Sequence, residues 1–212
     1  MPAGKQGRGP WPAAGRLTFW QCVMLPVEWL FTRLAGSRPV PGSRGVFLVA
    51  YHRHRGHAVA LPDGTTVRPG DPVAELHFWN AHIAQRRDAN AEATTWRLAR
   101  DVRSDLRALA AAMSRGEVAS DAVAVYGASP VARAAERLGF TVLPVTGGWR
   151  RIALSAWQLT VRRVFRPATI PADLHAATTE VWLSRQRLMG MYGDSRARSS
   201  DHVTMASRHP TP

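Results

Sequence analysis

The sequence predicts an α+β fold: a single domain with a mixed, mostly antiparallel sheet flanked by amphipathic helices. Three observations carry that expectation. Short strand-like runs broken by turn signals fill residues 46–79. A strand–helix–strand pattern follows at 121–145, and apolar residues recur at helical steps around 16–35, 83–114 and 149–166. A length of 212 residues suits one domain, and an apolar fraction of 45% supplies a core.

Residues 1–14 are rich in Gly and Pro and read as a disordered N-terminus, so the domain is expected over 15–192. From Arg16 to Ala35, Phe19, Val23, Val27, Leu30 and Leu34 step by three and four along one helix face. Trp20, Met24 and Phe31 widen that face, Pro26 is expected to kink it, and Gly36 ends it.

Val46–His54, His57–Leu61, Thr65–Val67 and Val73–Trp79 read as strands. Pro62-Asp63-Gly64 and Arg68-Pro69-Gly70-Asp71 supply turns between them, and a three-stranded antiparallel meander is the simplest arrangement. A long helix is expected over Ile83–Ser114. Its Ala99, Val102, Leu106, Leu109 and Met113 would face the core, with Arg100, Asp101, Arg103, Asp105 and Arg107 outside.

Ala122–Tyr126 is a short apolar strand. Ser129 and Pro130 can open a helix that Gly139 closes, and Phe140–Val145 returns parallel to the first strand. Trp149–Arg166 is a second amphipathic helix. A last helix is expected over about 172–191 with Trp182 in the core, and 193–212 read as a disordered tail.

The formal charge is +13, nearly all of it arginine. Residues 1–45 carry six bases and one acid, and residues 149–192 carry seven and two, so each segment contributes +5. Both segments also hold aromatic amphipathic helices. Arginine beside Trp and Phe suits an interfacial helix, each cation contributing about 1 kcal/mol near an anionic leaflet. An anionic membrane surface or a phosphate-bearing glycolipid is the expected partner. Nucleic acid ranks behind it because no helix-turn-helix, zinc-finger or RNP pattern is visible, and a protein partner is unspecified. The arginines expected to bind are Arg150, Arg151, Arg162 and Arg166.

Cys22 is the sole cysteine, which excludes an internal disulfide and a cysteine-based zinc site. The N-terminus lacks the order of a signal peptide, and the apolar run Leu17–Phe31 is too short to span a bilayer. A cytoplasmic location, at the inner face of the membrane, is therefore expected.

The most site-like stretch is Tyr51–His82. On extended strands His52 and His54 share one face, as do Glu75 and His77. Glu75 and His77 are the expected acid–base residues. His52, His54, Asn80 and His82 would extend them as binding residues, and the spacing does not specify a metal. Tyr126-Gly127-Ala128-Ser129 offers backbone amides to an anion. The sequence contains no G-x-S-x-G elbow, Walker A loop or Rossmann fingerprint, and no cofactor is assigned.

Several short motifs resemble the YkoP-like family, a bacterial domain also found attached to polysaccharide deacetylases. They are Leu61-Pro62-Asp63-Gly64, Pro69-Gly70-Asp71, Glu75-Leu76-His77, Asn80, Arg137-Leu138-Gly139-Phe140 and Trp182-Leu183-Ser184-Arg185. The resemblance implies a role in envelope polysaccharide or glycolipid metabolism. More distantly, Ala134-Ala135-Glu136-Arg137-Leu138-Gly139-Phe140 between strands is similar to the end of GNAT-type acyltransferases, although the acyl-CoA loop of that family is missing. Three functions follow as expectations: a peripheral membrane-surface protein of envelope metabolism, a group-transfer enzyme using Glu75 and His77, or a non-enzymatic binding module.

Overall fold

The computed structural model describes residues 26–27, 29–30, 32–79, 82, 91–129, 132–145 and 179–193. Strands β1 (Arg38–Pro39), β2 (Phe47–Arg53), β3 (Val59–Ala60), β4 (Thr66–Val67) and β5 (Pro72–Phe78) precede helix α1 (Ala91–Ser114). Then come β6 (Ala124–Ser129), α2 (Ala132–Arg137), β7 (Thr141–Pro144), β8 (Thr179–Ser184) and α3 (Arg185–Tyr192). Six strands form one sheet in the order β1-β2-β5-β6-β8-β7, and β3 pairs with β4 in a separate hairpin. Only the β5–β6 pairing is parallel, so the sheet is mixed and mostly antiparallel, as an α+β fold requires.

Three strand assignments differ from the sequence expectation. The meander is interrupted: β2 pairs directly with β5, and the β3–β4 hairpin loops out between them. The backbone bonds from His54 N–H to Asp71 C=O (2.8 Å) and from Gly70 N–H to His54 C=O (2.8 Å) close the sheet across the base of that excursion. β7 does run parallel to β6, but β8 slots between them and pairs antiparallel with both. Residues 179–184, read as part of a last helix over about 172–191, are therefore β8, and residues 172–178 lie outside the described residues. Thr179, Val181 and Trp182 are β-formers there, and Ser184 caps α3 by accepting from Arg187 N–H at 3.0 Å.

Period-two alternation divides the sheet into two faces. Phe47, Val49, Ala74, Leu76, Val125, Val181 and Leu183 pack against Val102, Leu106, Leu109 and Met113 of α1 and Leu188 of α3. Leu106, Leu109 and Leu188 are fully enclosed, and each such leucine contributes about 2 kcal/mol. On the opposite face Val73, Ala124, Tyr126 and Trp182 pack under Leu61 and Val67 from the hairpin. Gly127 lies where β6 presses on β5: a Cβ there would sit 2.9 Å from the Leu76 carbonyl oxygen. Helices end where glycine was expected to stop them. At Gly116 and Gly139 a positive φ lets the next residue's N–H reach back five positions, Glu117 to Ala112 and Phe140 to Ala135.

Two outward assignments on α1 are also reversed. Asp101 and Asp105 are buried, at 4% and 0% exposure. The Asp105 carboxylate accepts from Arg44 N–H (2.5 Å) and Val46 N–H (2.6 Å), and Asp101 lies 3.5 Å from the Arg44 guanidinium. The loop ahead of β2 needs acceptors for buried amides, and that demand outweighs the tendency of carboxylates to face water. Asp105→Ala is expected to cost about 3 kcal/mol, because it strands two donors, and Asp105→Asn about half as much, in urea unfolding.

Candidate functional site

β2 and β5 run side by side with Ala50 opposite Glu75 and His52 opposite Val73, while β6 brings Tyr126 opposite Glu75 from the other side. His52, Glu75, His77 and Tyr126 therefore project from the sheet face that does not carry α1. Their grouping is a consequence of register. Glu75 Oε2 lies 3.2 Å from His52 Nε2 and 3.8 Å from His77 Nε2, and Tyr126 Oη lies 3.0 Å from His52 Nε2. The side chains of His52, Glu75 and His77 are 36%, 27% and 15% exposed, so the cluster grades from open to enclosed.

The proton inventory of His52 follows from its partners. Its Nδ1 lies 2.9 Å from the Arg53 carbonyl oxygen, which can only accept, so Nδ1 carries a hydrogen. In the neutral ring Nε2 then accepts from the Tyr126 hydroxyl. Glu75 Oε2 and Tyr126 Oη thus both lie within hydrogen-bond reach of the same ring nitrogen. His77 is different: burial holds its imidazole below the ordinary histidine range, nearby Glu75 opposes that, and His52 adds to it. It is kept neutral beside the carboxylate.

The floor of this face is aromatic. Tyr126 stacks on Trp182 with centroids 4.5 Å apart and rings 15° from parallel, and Trp182 Nε1 donates to buried Glu180 at 3.2 Å. The hairpin is clamped over the same end. Asp63 accepts from the Ser184 hydroxyl and, at 3.1 Å, from Thr65 N–H. Burial pushes the Asp63 carboxyl up, but those bonds outweigh it and leave the group below the ordinary carboxylate range.

The expected site residues fall into three groups. Glu75, His77 and His52 come together. His54 and His82 do not join them. The chain leaves the sheet after Arg53, and His54 donates from Nε2 to the His57 carbonyl (2.8 Å) with its ring edge-on to Trp182. His82 stacks on Trp79 at 4.9 Å and donates to the Arg44 carbonyl at 2.9 Å, tying down the loop before β2. Asn80, Arg150, Arg151, Arg162 and Arg166 lie outside the described residues. Tyr126 was read for its backbone amide alone. Its place on an alternating strand beside Ala124 was the signal that its phenol would share a face with neighbouring strands. Among the described residues, no group of three His, Cys, Asp or Glu side chains is arranged to hold a metal ion.

Fold and site together define a mixed α+β domain with a carboxylate–imidazole–phenol cluster on the sheet face opposite α1. Residues 17–192 match the YkoP domain, and the chain belongs to that family. Neither the curated proteins nor the solved structures contain a match, and the likeness to GNAT-type acyltransferases has no support in these comparisons.

His77 gives this face a pH signature. Between its lowered value and the free-histidine value of about 6.5, the unfolded chain binds a proton that the folded chain refuses. Its contribution is therefore intact above the free value and declines as pH falls below it, by at most about 1.4 kcal/mol per pH unit. Urea midpoints measured from pH 7.5 down to 5 are expected to fall more steeply for the wild type than for His77→Gln.

Proposed function

We propose that this YkoP-domain chain works at an anionic membrane surface in envelope polysaccharide or glycolipid metabolism, its Glu75 cluster meeting a polar headgroup. The observation that carries the reading is the helical stretch ahead of β1, residues 26–27, 29–30 and 32–34. Val27, Trp29, Leu30 and Leu34 stand 44%, 41%, 51% and 79% exposed, a costly display of apolar surface for a helix that has nothing to insert into. Val27, Leu30 and Leu34 are spaced by three and four on one side. Arg33 lies 5.4 Å over the Trp29 ring, placing a cation beside the indole as a headgroup boundary favours. The segment up to residue 45 carries a net +5, and the company of YkoP-like domains with polysaccharide deacetylases points to envelope substrates. Among the described residues no helix is long and apolar enough to cross a membrane, so contact through this stretch would be peripheral.

A second reading, a group-transfer enzyme with Glu75 and His77 in acid–base roles, is favoured by the position of Glu75 between two imidazoles on a half-open face. The two readings are compatible, since a headgroup is also a group to be transferred. On the second reading Glu75→Gln lowers turnover by about a hundredfold or more while the unfolding midpoint stays near that of the wild type.

The membrane reading predicts that the full chain sediments with vesicles of phosphatidylcholine and phosphatidylglycerol and stays in solution with phosphatidylcholine alone. Leu30→Glu combined with Leu34→Glu should weaken sedimentation at least about tenfold, by removing apolar area and adding charge repelled by the leaflet. Equal sedimentation of the wild type with neutral and anionic vesicles, or none with either, would count against it.

A further inference from the structure

α1 carries a feature that its sequence conceals. From residue 96 to the end of the helix, the chain has four arginines and two aspartates, an ordinary mixture. Folding sorts them. Asp101 and Asp105 turn inward to hold Arg44 and the loop before β2, whereas Arg97, Arg100, Arg103 and Arg107 are exposed. Among the described residues, then, the exposed charged side chains of this part of α1 are all basic.

Their spacing organises them further. Trp96, Arg100, Arg103 and Arg107 follow one another at steps of four, three and four, which stacks them in one stripe along the helix. Trp96 and the Arg100 side chain are each 69% exposed. Arg100 lies 3.9 Å from Asp101, a carboxylate already committed to Arg44. At the far end Arg103 and Arg107 lie close enough to Tyr192 of α3 to oppose the upward push that burial exerts on its phenol. The stripe is thus about three turns long, carries three cations with no exposed counter-ion on this part of α1 among the described residues, and begins with an open indole.

We infer that this stripe of α1 is a phosphate-binding face that docks the domain on the headgroups of an anionic bilayer. Three guanidiniums on one helical line match a plane of lipid phosphates. Trp96 supplies an amphipathic ring suited to the headgroup boundary. A bilayer is favoured over a nucleic acid because the same chain also exposes Val27, Leu30 and Leu34, aliphatic side chains that acyl chains can take up and a nucleic-acid backbone cannot. The inference rests on the membrane reading and adds the surface that makes the contact.

The test compares two charge-matched variants of the full chain. One carries Arg100→Gln, Arg103→Gln and Arg107→Gln. The other carries Arg38→Gln, Arg55→Gln and Arg68→Gln, exposed arginines on β1 and at the hairpin. Partition onto phosphatidylglycerol-containing vesicles should fall about a hundredfold for the α1 variant and no more than about threefold for the other. Far-UV circular dichroism and the urea midpoint should be unchanged in both. Equal losses from the two variants would overturn the assignment to α1 while leaving membrane association standing. A wild-type chain that ignores anionic vesicles would remove the membrane reading and this inference together. Retardation of an oligonucleotide by a wild-type chain that does not sediment with vesicles would reassign the stripe to nucleic acid.

Discussion

The carboxylate of Asp105 constrains more of this molecule than any other single group. It sits with no solvent exposure on the inner side of α1 and accepts from the amides of Arg44 and Val46, the last residues before β2. Two charge-assisted bonds from one short side chain leave little freedom of rotation or sliding between helix and strand. The helix is thereby held at one angle about its own axis, and β2 is held at its starting residue. Both consequences reach well beyond the loop itself.

The first consequence is the site. Once Phe47 is fixed as the first residue of β2, pairing with β5 sets His52 diagonally from Glu75, and the parallel step to β6 adds Tyr126. A one-residue slip of β2 would turn His52 into the helix layer and away from Glu75 and Tyr126. The opposite end of the face is secured by another carboxylate. Asp63 takes the hydroxyl hydrogen of Ser184 while Ser184 caps α3, so the hairpin, β8 and the last helix meet at one oxygen. The half-open cluster of His52, Glu75 and His77 is suspended between those two anchors, polar itself but floored by stacked Tyr126 and Trp182.

The second consequence is electrostatic. Because the aspartates of α1 are consumed inside, the outer stripe keeps its arginines and loses their formal partners. Net charge along a sequence is therefore a poor guide to the field at the surface. The segment of residues 46–120 sums to only +2, yet α1 within it presents an outer line of cations. The apolar residues ahead of β1 and this stripe are different in kind, one aliphatic and the other cationic.

Local rules determined much of this protein. The α+β class, the glycine stops at Gly36, Gly116 and Gly139, the strand carrying Glu75 and His77, and the family motifs are all legible because each depends on neighbours a few residues away. What the tertiary structure alone decided depends on long-range pairing. β8 was hidden in a helix-like stretch because its partners, β6 and β7, lie about 35 to 60 residues upstream. Tyr126 joined the site through a parallel pairing with β5, and His54 left it when the hairpin bulged out. Asp101 and Asp105 looked like solvent-facing charges because a helical period shows where apolar residues point and cannot show where a distant loop will need an acceptor.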